Sequence, residues 1–269
     1  MITIPSWIYQ QYDADQTRPV PAEGYGGWRQ HEATLDPARL AIVSMHAWHA
    51  DPPEMYPGWD RAVEYRVRSS AICREVYPRI LGAARGAGIP VLHVVGGTPY
   101  YTDYPGYKRA VELAGPAPEM GPGAVHDPSA GGISELRRRE GFPGAHNVQD
   151  ITRGFVTLDF AEEAKPVGDE GIAEDAHQLN ALCREAEVSH LVYIGFALNW
   201  CLLMSPGSML EMKNRGYTCS TIRQAVTAVE NRESAATEAH KEEALWRTSL
   251  SFGLVFDDSD FITAIANGR

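Results

Sequence analysis

The stretch His190-Leu191-Val192-Tyr193-Ile194-Gly195-Phe196-Ala197-Leu198-Asn199-Trp200-Cys201 decides how this chain is read. Leu191 to Ile194 have the unbroken apolar character of a buried strand, and Gly195 opens a short loop. A helical pattern from Leu202 to Arg215 follows, closed by Gly216. A strand turning directly into a helix is the repeating unit of a parallel sheet, and ligands gather at the carboxyl ends of such strands. Cys201 therefore opens a helix, where the dipole favours a thiolate and loop N–H groups can receive an oxyanion.

Similar units lie on both sides. Leu40-Ala41-Ile42-Val43-Ser44-Met45 follows Asp36-Pro37 as a short buried strand. From Trp59 to Ala87 apolar residues recur at helical spacing, with Pro78 bending or dividing the helix and Gly88 ending it. Ile89–Val95 is a second buried strand. Further on, Asp175–Ala186 reads as a helix, Tyr217–Ile222 as a strand, Glu233–Leu250 as a helix and Gly253–Phe256 as a last strand. This alternation predicts one Rossmann-like α/β domain over 1–269, with three α/β/α layers and a mainly parallel sheet of roughly six strands. Residues 1–38 read as an irregular arm. Residues 98–165, rich in Gly and Pro, read as an insertion with one short helix that serves as a lid or contact surface.

Composition narrows the function classes. A net charge of -11 argues against nucleic acid and anionic membranes as partners. No run of about 18 apolar residues spans a bilayer, and Met1-Ile2-Thr3-Ile4-Pro5 lacks a signal-peptide pattern, so a cytoplasmic location is expected. GxGxxG and P-loop patterns are absent, and no cofactor is expected. The four cysteines, at 73, 183, 201 and 219, form no CxxC pair. Cys73, Cys183 and Cys219 read as small buried hydrophobes; Cys201 differs by its position.

The strand–Gly–apolar–small–x–Asn–x–Cys run through Cys201 resembles the signature of the isochorismatase-like cysteine hydrolases, which include nicotinamidases and N-carbamoyl amidohydrolases. Ile42-Val43-Ser44-Met45-His46 is similar to the family's first strand, and Gly216-Tyr217 with Thr218–Ile222 to its later Gly-Tyr pair and strand. The similarity spans roughly 40–97 and 165–265. It implies an Asp, Lys and Cys triad in which the cysteine attacks an amide or related carbon. It also implies a cis peptide joining Phe196 to Ala197, with the Ala197 and Cys201 amides aimed at the oxyanion. The family lysine corresponds to Lys165. The family aspartate position is held by Ser44, and a serine does not take a proton at neutral pH without help.

His46 is the substitute base expected from the residues. Two positions beyond Ser44 on a strand, it would share that side chain's face and project toward Cys201, and a Cys–His pair is a competent nucleophile and base. The alternative is a hydrogen-bonded structural histidine. His46, His49 and Asp51 form an H-x-x-H-x-D cluster near His93, but the spacing does not reproduce a metal-binding pattern, and no metal is expected. Trp48, Asn199, Trp200 and Tyr100 are candidate pocket walls, although such aromatics could equally bury a subunit interface.

The expected function is that of a cysteine hydrolase acting on a small amide or carbamoyl compound. The alternative is a catalytically silent protein that binds a small ligand or serves as an assembly subunit. A vinyl-ether hydrolase is disfavoured because its chemistry depends on the missing carboxylate. The resemblance further implies a homo-oligomer, a dimer or tetramer.

Overall fold

A computed structural model describes residues 1–119, 121, 123–125 and 127–268. Among them the strands form one eight-stranded sheet, in the order β2-β1-β8-β7-β6-β3-β4-β5. Its centre is parallel: β3 (Leu40–Met45) lies between β4 (Val91–Val94) and β6 (His190–Gly195), and β7 (Thr218–Val226) follows β6. The short strands β5 (Ile172–Ala173) and β8 (Val255–Phe256) extend it in parallel on either side.

The expectation of roughly six strands falls short because the first 38 residues are not an irregular arm. They hold β1 (Ile2–Gln10) and β2 (Gly27–Leu35), a fully registered antiparallel pair that meets β8 through Trp7 and Val255. The alternation that makes β1 a strand is in its sequence: Ile2, Ile4 and Ser6 are buried while Thr3 is exposed. Pro5 and the aromatic residues obscure it, but Pro5 is tolerated because β1 pairs along its length only with β2.

Helices cover both faces. On one, α2 (Arg66–Glu75), α3 (Tyr77–Ala87) and α10 (Asp258–Asn267) pack over the even residues of β3, with Ile42, Tyr77, Ile80, Phe256 and Phe261 in one core. On the other, α7 (Ala176–Glu185), α8 (Met209–Lys213) and α9 (Ala239–Ser251) pack over Ala41, Val43 and Met45. Alternation along β3 thus assigns its side chains to opposite layers. Cys73, Cys183 and Cys219 lie in these cores, where burial pushes each thiol up to about 12.

Other departures have local causes. The helical pattern after Trp59 is three helices, α1 (Pro57–Ala62), α2 and α3, with Pro78 in the first turn of the last. The helix expected over 202–215 is broken. A π-helical turn (Leu198–Leu202) comes first, and only Met209–Lys213 continues as α8, because Pro206 supplies no N–H and Gly207 turns at φ 79°. The insertion 98–165 holds three helices rather than one: α4 (Pro105–Ala114), α5 (Ala130–Glu140) and α6 (Val148–Val156). Among the described residues no helix is long and apolar enough to cross a membrane.

The tightest point of the sheet is where β6 ends. Gly195 adopts φ 134°, and a Cβ there would lie 2.0 Å from the Met45 carbonyl oxygen, which accepts the Phe196 N–H at 3.1 Å. No side chain fits, so Gly195→Ala should lower stability by at least about 3 kcal/mol in urea denaturation. A loss under about 1 kcal/mol would contradict this packing.

At the other end of β6, the His190 Nε2 lies 2.7 Å from Ser220 Oγ, and burial lowers its pKa to about 4. The unfolded chain takes up this proton near 6.5. Stability from a neutral His190 is therefore complete above about pH 6.5 and lost as pH falls toward about 4. The urea midpoint should fall across that window, and His190→Gln should flatten the fall; an unchanged slope would exclude His190 as a source.

Candidate active site

Past Gly195 the chain leaves β6 through a cis peptide between Phe196 and Ala197 and enters the π-helical turn that carries Cys201. Two contacts hold the turn. The Leu198 N–H donates to the Thr227 carbonyl at 2.8 Å, and Asn199 makes a two-way fork with Val229. Its Nδ2 donates to the Val229 carbonyl at 2.9 Å, and its Oδ1 accepts the Val229 N–H at 2.9 Å. Asn199 is thus spent on the backbone and does not line the cavity expected of it, whereas Val229, which it pins, does.

Cys201 is half-buried, and it lines a cavity of about 270 Å³. The π-helical turn supplies Trp200 to the same wall, and Phe196, just ahead of the turn, adds to it. The segment after β3 supplies His46 and Trp48, α1 and α2 with their connection supply Trp59, Tyr65 and Arg66, and the insertion supplies Phe142 and Phe155. Flat apolar side chains dominate, and they pack on one another: Trp59 stacks on Phe155 at 5.2 Å, and Phe142 meets Trp200 edge-on at 5.6 Å. Among the described residues lining the cavity there is no carboxylate.

His46 reaches the cavity, but not along the strand. β3 ends at Met45, and His46 takes a left-handed φ of 51°, so the period-two expectation stops one residue before it. Its ring stacks on Trp48 at 4.7 Å, and its Nδ1 is buried without a partner. Burial lowers its pKa to about 4, partly opposed by the Val95 backbone, so the ring is neutral and only weakly basic at neutral pH.

Ser44 lies elsewhere. It is 2% exposed and faces the α3 layer, not the cavity, with its hydroxyl beside that of Tyr77. The two do not close a well-formed hydrogen bond, and both oxygens are unpartnered. Lys165 is also distant from the cavity lining. Its Nζ lies 2.6 Å from Glu162 Oε2 on the surface, and its side chain is 40% exposed. The structure therefore does not bring Ser44 and Lys165 together with Cys201. Tyr100 stands behind the wall, its hydroxyl accepting from Trp48 Nε1 at 2.9 Å.

The histidines and Asp51 do not converge either. His49 Nε2 is 3.6 Å from Asp51 Oδ1, while His93 is buried with Nε2 3.0 Å from Glu170 Oε2. Glu170 also receives Arg85. Burial raises its carboxyl, but the bonds from His93 and Arg85 outweigh that and hold it at about 2. Burial keeps His93 neutral, so its Nε2–H donates. Among the described residues no three His, Cys, Asp or Glu groups are placed to hold a metal.

Two cavity residues have no signal in the sequence. Tyr65 precedes α2, and its phenol is pushed well above its ordinary range by burial, with the neighbouring Cys201 sulfur adding to the effect. It remains protonated and can donate a proton beside the thiol. Arg66, next in sequence, is 7% exposed, with its guanidinium 4.0 Å above the Trp59 ring and Nε 3.0 Å from Asp60 Oδ1. Its Nη1 and Nη2 find no acceptor. Stacking on Trp59 contributes roughly 0.5–2 kcal/mol, which does not offset two unmet charged donors at about 1–3 kcal/mol or more each. Both residues sit in a stretch whose periodicity reads only as an amphipathic helix.

No family model matches the chain, and no curated protein matches it. Among solved structures it is similar to a cysteine hydrolase from Pseudomonas syringae pv. phaseolicola 1448A, at 14% identity and a TM-score of 0.49, covering 87% of this chain and 96% of that one. It is also similar to an isochorismatase-like hydrolase from Alkaliphilus metalliredigens, at 16% identity and a TM-score of 0.49, covering 85% and 99%. An isochorismatase family protein from Burkholderia thailandensis is similar at 15% identity and a TM-score of 0.45, covering 86% and 97%.

Proposed function

We propose that the protein is a hydrolase that cleaves a small amide or carbamoyl compound through Cys201. The observation that carries this reading is the placement of one thiol at the first turn beyond β6, on the wall of an apolar cavity that also holds a protonated phenol. The isochorismatase-like resemblance supports the same chemistry.

The Cys201 thiolate adds to the carbonyl carbon, forming a C–S bond, and the Ala197 and Cys201 N–H groups, the donors that the resemblance implies, receive the oxyanion. As the C–N bond breaks, the leaving nitrogen takes the Tyr65 proton. The resulting phenolate then draws a proton from a water molecule whose hydroxide splits the thioester, restoring Tyr65 and the thiolate. Tyr65 thus serves the proton transfers to the leaving nitrogen and from water, the cycle starts from and returns to the Cys201 thiolate, and His46 supports the wall as a neutral stacked ring.

A second reading, a catalytically silent ligand-binding protein, is favoured by the absence of a carboxylate among the described cavity residues. Self-association is supported by α5, which has no buried residue and leaves Ile133 and Leu136 in solvent.

A panel of small amides and carbamoyl compounds separates the two readings. Turnover should vanish in Cys201→Ala, fall about 100-fold in kcat in Tyr65→Phe, and change less than about twofold in Lys165→Ala, whose partner is on the surface. Turnover that survives Cys201→Ala would exclude the thiol as nucleophile, and binding without any turnover would favour the silent protein.

A further inference from the structure

Arg66 is the one permanently charged cation among the described residues lining the Cys201 cavity. Asp60 holds it by Nε alone, and Asp60 Oδ2 is also without a partner. A small rotation could bring Oδ2 to one terminal nitrogen. The other would still present two N–H groups with no acceptor. Both terminal nitrogens are closed off from solvent, so water at the surface does not satisfy them. Around them the wall is aromatic, with Trp48, Trp59, Phe155 and Phe196.

We infer that the cavity takes a small planar acid whose carboxylate is received by the terminal nitrogens of Arg66 while its apolar body lies among these rings. A guanidinium offers a carboxylate two parallel N–H bonds, a match that a neutral carbonyl only half fills. Asp60 anchors Nε, which leaves the two terminal nitrogens as donors without a partner on a residue that lines the cavity. Burial lowers the pKa of the Arg66 guanidinium, and the charges of Asp60 and Asp51 oppose that shift and favour its cationic form. At about 270 Å³ the cavity suits a single-ring ligand, not a nucleotide or peptide. This names the substrate class of the proposed hydrolase, and rests on that reading only in setting the scissile carbonyl at Cys201.

The test is binding, measured calorimetrically at pH 7 in Cys201→Ala so that nothing is turned over. The probes are benzoate and its uncharged isostere acetophenone. The acid should bind about tenfold or more tightly than the ketone. Adding Arg66→Met should abolish that preference by weakening the acid more than the ketone, while Arg66→Lys should keep part of it. Equal affinities for acid and ketone, or a preference that survives Arg66→Met, would overturn the assignment. Should Arg66→Met fail to fold, the acid-to-ketone ratio with Arg66 intact still decides. A missing acid preference leaves Cys201-dependent turnover of neutral amides untouched, so the two readings fail separately.

Discussion

Where β6 meets β3, the backbone of Gly195 passes so close to the Met45 carbonyl that even a methyl group is excluded. That approach lets the Phe196 N–H bond to the end of β3 and turns the chain across the top of the sheet. Everything in the candidate site follows from it. The π-helical turn follows the end of β6, Cys201 packs at the edge of the core while lining the cavity, and Asn199 fastens the turn to Val229 on the next connection. A parallel sheet opens a crevice at its strand ends, and here the Met45–Gly195 contact determines which side chains line it.

Much of the fold is legible in the sequence because buried parallel strands are unbroken apolar runs. Leu40–Met45 and His190–Gly195 are recognisable for that reason. Strands paired by geometry rather than pattern are not. β5 is two residues long, too short for any period to register, and β1 is masked by Pro5 and by Trp7 and Tyr9, whereas β8, equally short, falls within the strand expected over Gly253–Phe256. The interrupted helix after Cys201 could have been foreseen from Ser205-Pro206-Gly207, since a residue without an N–H followed by a glycine ends a helix locally.

The site was legible at one point and obscure around it. Cys201 is marked by its own local context, a strand, a glycine and a helix start. Its neighbours come from four separate segments, and their meeting depends on tertiary packing. Ser44 occupies a strand position whose parity sends it into the α3 layer beside Tyr77, while His46 escapes that parity because its backbone turns left-handed. Lys165, isolated in sequence, finds an acidic partner three residues away. Tyr65 and Arg66, by contrast, lie in an ordinary helical stretch and acquire their importance only when folding brings the start of α2 to the cavity that Cys201 lines.

The resulting site is apolar, and its polar groups are few and unevenly satisfied: a thiol, a protonated phenol, a neutral imidazole and a guanidinium with unused donors. The other three cysteines are sealed in the cores as thiols that burial keeps protonated. The most direct measurement is therefore the order in which iodoacetamide labels the four cysteines of the native protein, read by peptide mass spectrometry. The account predicts that Cys201 is modified first and alone, with Cys73, Cys183 and Cys219 labelled only on unfolding. Labelling of a core cysteine at the rate of Cys201, or a Cys201 that resists the reagent, would contradict the claim that this thiol faces the cavity as its reactive group.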